Sequence, residues 1–294
     1  MRLPPEGLHR RGFLAGSLGA AGLTAGCTQL DAFDTVMPDD PGIRRLVRGQ
    51  SFAPHARGSL DVYAPTGPAP PGGWPVMVFW YGGSWRSGRK EDYAFAASAF
   101  ASLGMICVLP DYRLVPEAVH PAFVEDGLAA LAWTVAGIGA LGGDPRRIVL
   151  SGHSAGAWIA AMVAMDPSAR GQVAGWIGLA GPYDFLPLDV SATINAFGHL
   201  QGAALEATQP VRLPAAGTPP ALLVHGEEDT TVRLRQSERM AAHLRSAGVP
   251  VELEALPNVG HITILTALAR PLRGRAPTRA VCRTWLAGRG LLAG

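Results

Sequence analysis

The pentapeptide Gly152-His153-Ser154-Ala155-Gly156 directly follows the apolar run Ile148-Val149-Leu150 and opens the helix-compatible run Ala155–Met165. A serine at such a strand-to-helix turn is held out on a sharp, strained backbone, and glycines two residues to either side let neighbouring chain pass close by. A serine hydroxyl is a poor nucleophile until a base takes its proton. The apolar run Ala221–Val224 leads through His225-Gly226 into Glu227-Glu228-Asp229, acids just beyond a strand end. The strand-like Val251–Leu256 leads into Val259-Gly260-His261. Serine, acid and histidine in that order predict Ser154 as nucleophile, His261 as base and later acid, and Asp229 as the group that orients the imidazole, with Glu227 and Glu228 competing for that role.

Stabilising the oxyanion needs backbone N–H groups aimed at the developing charge. The buried-strand pattern Val76–Trp80 breaks into Tyr81-Gly82-Gly83-Ser84-Trp85, where paired glycines let the backbone turn toward a ligand, and the N–H of Ala155 would be the second donor. His153 reads as packing or pocket lining, and His225 as structural. His55, His120, His199 and His243 have no strand-end context.

These residues need a sheet whose strand ends meet. Short apolar runs at Ser59–Tyr63, Pro75–Tyr81, Ile106–Leu109, Ile148–Leu150, Trp176–Leu179, Ala221–His225 and Val251–Leu256 alternate with helical patterns at Asp92–Leu103, Phe123–Ile138, Ala155–Met165, Arg233–Ala247 and Pro277–Leu286. Such alternation predicts an α/β domain with a mostly parallel sheet flanked by helices. Pro182 to Pro220, rich in proline with a short helical pattern near Ala192–Ala204, interrupts the rhythm and is a cap or lid candidate over the strand ends.

A net charge of +2, with 16% charged residues, argues against a nucleic-acid partner. The 48% hydrophobic content is that of a packed globular chain. Arg10-Arg11 followed by the small-residue stretch Gly12–Ala25 reads as an export leader resembling a twin-arginine signal. Leu23-Thr24-Ala25-Gly26-Cys27 resembles a lipobox, in which Cys27 carries the lipid that anchors the chain to a membrane. The expected organisation is a leader over 1–27, a polar tether over 28–50 and a catalytic domain over 51–294, with 182–220 as the cap segment. Cys107 and Cys282 read as separate buried thiols, and no histidine or cysteine cluster has metal-ligand spacing.

Four further segments carry a resemblance. Tyr81-Gly82-Gly83-Ser84-Trp85 resembles an H-G-G-x-W oxyanion motif, and Asp111-Tyr112-Arg113-Leu114-Val115-Pro116-Glu117 resembles D-Y-R-L-x-P-E. Gly143-Asp144-Pro145-Arg146-Arg147-Ile148 resembles the lead-in to the serine turn, and His225–Val232 resembles H-G-x-x-D-x-x-V. Together, from about Gly58 to the C-terminus, they resemble the α/β-hydrolase esterases of the hormone-sensitive-lipase-like and bacterial feruloyl-esterase-like groups. The resemblance implies an α/β-hydrolase fold and carboxylic-ester hydrolysis through an acyl-enzyme, with no metal or organic cofactor. It selects Asp229 as the acid, gives Gly83 and Ser84 as backbone donors beside Gly82, and places Trp85 at the border of the substrate pocket. Tyr81 stands where the family has histidine, which shapes the oxyanion loop, and Tyr81 and His153 are expected at the pocket as well. The same machinery would serve an amidase, a formamidase-like enzyme or a peptidase, and a non-catalytic hydrolase-like binding protein is the rival of another class.

Overall fold

The computed structural model describes residues 37–292. The expected leader, Cys27 of the expected lipobox and the first part of the expected tether lie outside the described residues. The elements begin with β1 (Ile43–Ser51), β2 (Ser59–Pro65), β3 (Trp74–Trp80), α1 (Ala94–Ala101), β4 (Ile106–Pro110) and α2 (Ala122–Gly137). There follow β5 (Gly143–His153), α3 (Ala155–Met165), β6 (Gly175–Leu179), α4 (Ser191–Phe197) and α5 (Gly202–Glu206). The chain closes with β7 (Ala221–Gly226), α6 (Arg235–Ser246), β8 (Val251–Leu256), α7 (Thr263–Thr266) and α8 (Thr278–Gly288).

The strands form one eight-stranded sheet in the order β1-β2-β4-β3-β5-β6-β7-β8. The pairs β1–β2 and β2–β4 are antiparallel and the remaining pairs are parallel, so β2 alone runs against the others. Central strands covered on both faces must be apolar on both faces. Accordingly Val76 to Trp80 and Ile148 to Leu150 are wholly buried. The sequence of α3, AGAWIAAMVAM, is apolar all round, and every one of its residues is buried. In α6 only Gln236, Ser237, Met240, Ala241 and Leu244 are buried, one stripe at helical spacing with charges on the remaining face.

The tether expectation needs correcting. Residues 43–50, assigned to it, are part of β1, which pairs with β2 from Ile43↔Pro65 to Ser51↔Ser59. Arg44, Arg45 and Arg48 punctuate this half-exposed strand, and two register shifts break its alternation, so no apolar run announces it. Between Pro182 and Pro220 the chain forms α4 and α5 and packs down onto the core. Thr193, Ala196 and Phe197 are buried, His120 N donates to Ala196 O at 3.1 Å, and Trp158 Nε1 donates to Thr208 O at 2.9 Å.

Candidate active site

The parallel strands β3, β5, β7 and β8 all end at the same edge of the sheet, where crevices form in open α/β structures. Residues 81–88 follow β3, Ser154 follows β5, Asp229 lies three residues past β7 and His261 five residues past β8. Edge and order alone bring the distant segments together.

Ser154 occupies the turn between β5 and α3 with φ +54° and ψ −121°, a region costly for any residue with a Cβ and one that clusters at functional sites. Two glycines make the turn possible. A Cβ on Gly156 would strike the carbonyl oxygen of Trp80, and one on Gly152 would strike the backbone of Gly156. The Ser154 N–H is fixed by Leu179 O at 2.9 Å, and Ser154 O accepts from Ala157 N and Trp158 N, tying the turn to the first turn of α3.

His261 Nε2 lies 3.0 Å from Ser154 Oγ, and His261 Nδ1 lies 2.7 Å from Asp229 Oδ2. With Nδ1–H donated to the carboxylate, Nε2 is left to accept the serine proton. Asp229 Oδ1 accepts from Thr231 N at 2.9 Å and Val232 N at 2.8 Å, and His225 Nε2 stands 3.4 Å from Oδ2. Burial alone would raise the Asp229 pKa. The hydrogen bonds from His225 and His261, the His261 charge and the Val232 N–H outweigh it and hold the carboxyl well below the usual range. His225 is itself fixed by Ser237 Oγ at 2.7 Å and Val232 O at 2.7 Å. It is structural, as expected, and its structure is the seat of the acid.

His153 meets His261 from the other side. Its Nε2 donates to His261 O at 2.9 Å, and the two rings lie 4.7 Å apart. Burial, with the like charge of His261 beside it, pushes its pKa down to about 3, so the ring is neutral and can hold the backbone of the His261 loop as a simple donor. Fully buried, it does not face open solvent as a pocket wall would.

The loop after β3 packs directly on Ser154: a Cβ on Gly82 would lie 3.1 Å from Ser154 Cβ and 3.0 Å from His153 Nδ1. Gly83 O accepts from Arg86 N at 3.1 Å, Ser87 N at 3.1 Å and Ser87 Oγ at 3.0 Å. A trans peptide carries its N–H opposite its C=O, so these three donors fix the direction of the Ser84 N–H. Ser84 and Trp85 both sit at φ +56°, two strained non-glycine residues in succession. Ala155 opens α3, where a helix leaves its first N–H groups unpaired.

Tyr81 is not where it was expected. Its side chain is wholly buried, packed on Tyr93 and Tyr112 with its hydroxyl held by Asp111 and Arg57. The hydroxyl donates to Asp111 Oδ1 at 2.9 Å and accepts from Arg57 Nη2 at 2.6 Å, and the same guanidinium donates to Gly88 O at 2.6 Å. Tyr112 stacks on the Tyr81 ring at 4.7 Å and donates to Tyr81 O at 3.2 Å. Burial, together with the Asp111 charge, pushes the Tyr81 phenol well above its ordinary value, so it keeps its proton. Tyr81 is a strut joining the two ends of the loop. Arg57 went unnoticed in the sequence, since nothing local marks a residue whose partners lie 24 to 55 positions away. Trp85 is 3% exposed and buttressed by Trp158, Phe197, Phe185 and Phe123, an aromatic cluster that joins the loop, α3 and α4.

This mostly parallel sheet flanked by helices, with a serine, an acid and a histidine beyond the ends of β5, β7 and β8, is the α/β-hydrolase fold. Residues 60–244, more than half of the chain, match the model of the BD-FAE family, and the protein belongs to that family. It is 30% identical over 261 residues to esterase LipQ of Mycobacterium tuberculosis, covering 80% of this chain and 62% of LipQ. It is 32% identical over 241 residues to carboxylesterase NlhH of the same organism, covering 70% of this chain and 72% of NlhH. A probable isoprenylcysteine alpha-carbonyl methylesterase of Oryza sativa is 28% identical over 79% of this chain and 61% of that protein. The chain thus spans about three fifths of the rice protein and of LipQ. Among solved structures, a bacterial heroin esterase superposes with TM-score 0.73 at 27% identity over 91% of this chain and 90% of its own. The Thermogutta terrifontis esterase Est2 does so with TM-score 0.70 at 25% identity over 86% of this chain and 94% of its own.

Proposed function

We propose that the protein hydrolyses carboxylic esters through an acyl-enzyme on Ser154. The observation that carries this reading is the continuous chain Ser154 Oγ–His261 Nε2 at 3.0 Å and His261 Nδ1–Asp229 Oδ2 at 2.7 Å, with the Gly82–Ser84 loop packed against the serine. The kinship with enzymes named as esterases supports it. Ser154 Oγ attacks the ester carbonyl while His261 Nε2 takes its proton. Asp229 stabilises the imidazolium, and the N–H groups of Gly83, Ser84 and Ala155 bind the oxyanion. Collapse expels the alcohol, which receives the proton from His261. Water, deprotonated by the same nitrogen, then frees the acid and restores Ser154. In this reading the chain is exported, and Cys27 holds it to a membrane by its lipid.

A fluorophosphonate probe is expected to label the wild-type chain and spare Ser154→Ala, whose ester turnover falls by about 10⁴ or more. Labelling that persists in the Ala variant would refute the nucleophile assignment. On ester and anilide substrates matched in acyl group and leaving-group reactivity, the ester is expected to react faster; the reverse order would make the enzyme an amidase. The anchor is tested separately by Cys27→Ser, which is expected to move the protein from the membrane to the soluble fraction.

A further inference from the structure

Net charge conceals a strong local imbalance. From Ala255 to Gly294 the sequence holds no aspartate or glutamate and six arginines, at 270, 273, 275, 279, 283 and 289. Three of them, Arg273, Arg279 and Arg283, line one cavity of about 220 Å³ with Pro277 and Ala280 at the start of α8. Among the described residues the only carboxylate paired with any of these three is Asp40, whose Oδ2 accepts from Arg273 Nη2 at 2.6 Å. Arg279 is held by neutral acceptors, Ala99 O at 3.2 Å and Ser102 Oγ at 2.7 Å, and Arg283 has no hydrogen bond or ion pair among the described residues. Burial, and then the like charge of Arg273, pushes the Arg279 guanidinium below its ordinary value, and Arg283 adds to this while Asp40 opposes it. The first turn of α8 adds the positive end of its dipole.

We propose that this arginine-lined cavity binds the phosphate of an anionic lipid headgroup. Guanidinium forks match phosphate oxygens in pairs, and a concave site at a helix N-terminus is where such an anion is held. The lipid source follows from position. Asp40, fixed on Arg273 and by its N–H on Ser98 Oγ at 2.7 Å, places the chain's approach to the body at this cavity. Cys27 stands thirteen residues before Asp40, so a membrane that holds its lipid lies within about 45 Å of the arginines. For that choice of source the inference rests on the anchor reading; the cavity and its charge do not depend on it.

The test uses the full chain carrying Cys27→Ser, so that no acyl chain contributes, with flotation on vesicles of phosphatidylcholine alone or mixed with phosphatidylglycerol at about three to one. Binding to neutral vesicles sets the baseline for the leader. Phosphatidylglycerol is expected to raise binding above it. Arg283→Gln is expected to lower the partition coefficient about fivefold, and Arg279→Gln with Arg283→Gln about thirtyfold. Turnover of a soluble ester and the melting temperature monitor the fold, and Arg283, being unpartnered, gives the variant that folds regardless. Inorganic phosphate is expected to displace the protein from mixed vesicles more than chloride at equal ionic strength. Equal displacement, equal binding of wild type and variants, or tight binding of inorganic phosphate without any gain on phosphatidylglycerol would each overturn the proposal. Failure here leaves the anchor standing, because that is read from Cys27→Ser fractionation in cells.

Discussion

At the scale of single residues, Asp229, the proposed acid, shows how a buried charge is kept. Asp229 is 5% exposed, yet it is held ionised by donors on both oxygens. A folded-state pKa below the unfolded one means that the charged form favours the folded chain above about pH 4, and that this contribution fades as pH falls below it. Melting curves of wild type and Asp229→Asn are therefore expected to differ most near neutrality and to converge in acid; a gap unchanged down to about pH 3 would contradict the assignment. At neutral pH the same variant is expected to lose about 10⁴ in turnover, because an amide can hold His261 in the wrong tautomer. Behind the oxyanion loop, Tyr81→Phe removes the hydroxyl shared by Asp111 and Arg57 and nothing else. Hydrogen bonds to charged groups are worth about 1.5–3 kcal/mol each, so losing both is expected to cost about 3–6 kcal/mol of stability. With it is expected to go about tenfold in kcat at nearly unchanged KM, as the proposed role of the loop in binding the oxyanion rather than the ground-state ester requires. A rise in KM alone would show that Tyr81 shapes the substrate pocket instead.

At the scale of elements, α4 is docked beside the oxyanion-loop segment through one aromatic side chain. Phe197 is wholly buried and touches Trp85, Trp158, Phe185, Phe123 and His120. Phe197→Ala is expected to cost about 3–5 kcal/mol and to shift preference from acetyl toward longer acyl esters as the aromatic cluster opens. An unchanged chain-length profile would separate this cluster from the acyl pocket. The same elements explain what sequence could convey. Buried parallel strands must be continuous apolar runs, so β3 and β5 were legible; strand ends in chain order pointed to Ser154, His261 and the acidic run 227–229, and the resemblance of His225–Val232 to H-G-x-x-D-x-x-V singled out Asp229. The wholly apolar α3 was read to the residue, from Ala155 to Met165. β1 was not legible because its arginines and bulges erase the period that marks a strand. The direction of the Tyr81 side chain was not legible either. It depends on Asp111 and Arg57, which only the fold brings beside it, and a hydroxyl near a glycine turn reads equally well as facing a ligand.

At the scale of the whole molecule, two thiols report on the integrity of the core. Cys107 in β4 and Cys282 in α8 are free and wholly buried. Burial pushes Cys282 up to about 12 and Cys107 further still, and the thiolate is the reactive form. In a Cys27→Ser chain, neither is expected to react with an aromatic disulfide reagent at neutral pH in the folded state. Both are expected to become reactive together across the urea transition, since they lie in different layers of one cooperative core. Reaction of either thiol well before the loss of circular dichroism would divide the domain into separately unfolding parts.

The margin formed by β1 has one further consequence. A strand with one side unpaired is a template onto which another chain can add, and runs of open sheet edge are where soluble proteins begin to aggregate. Here the edge carries Arg44 and Arg48 exposed to solvent and is bent by two register breaks. A second copy approaching that edge meets like charge and finds no straight ladder to extend. The features that hid this strand from a search for apolar runs also make this edge, among the described residues, a poor template for another chain.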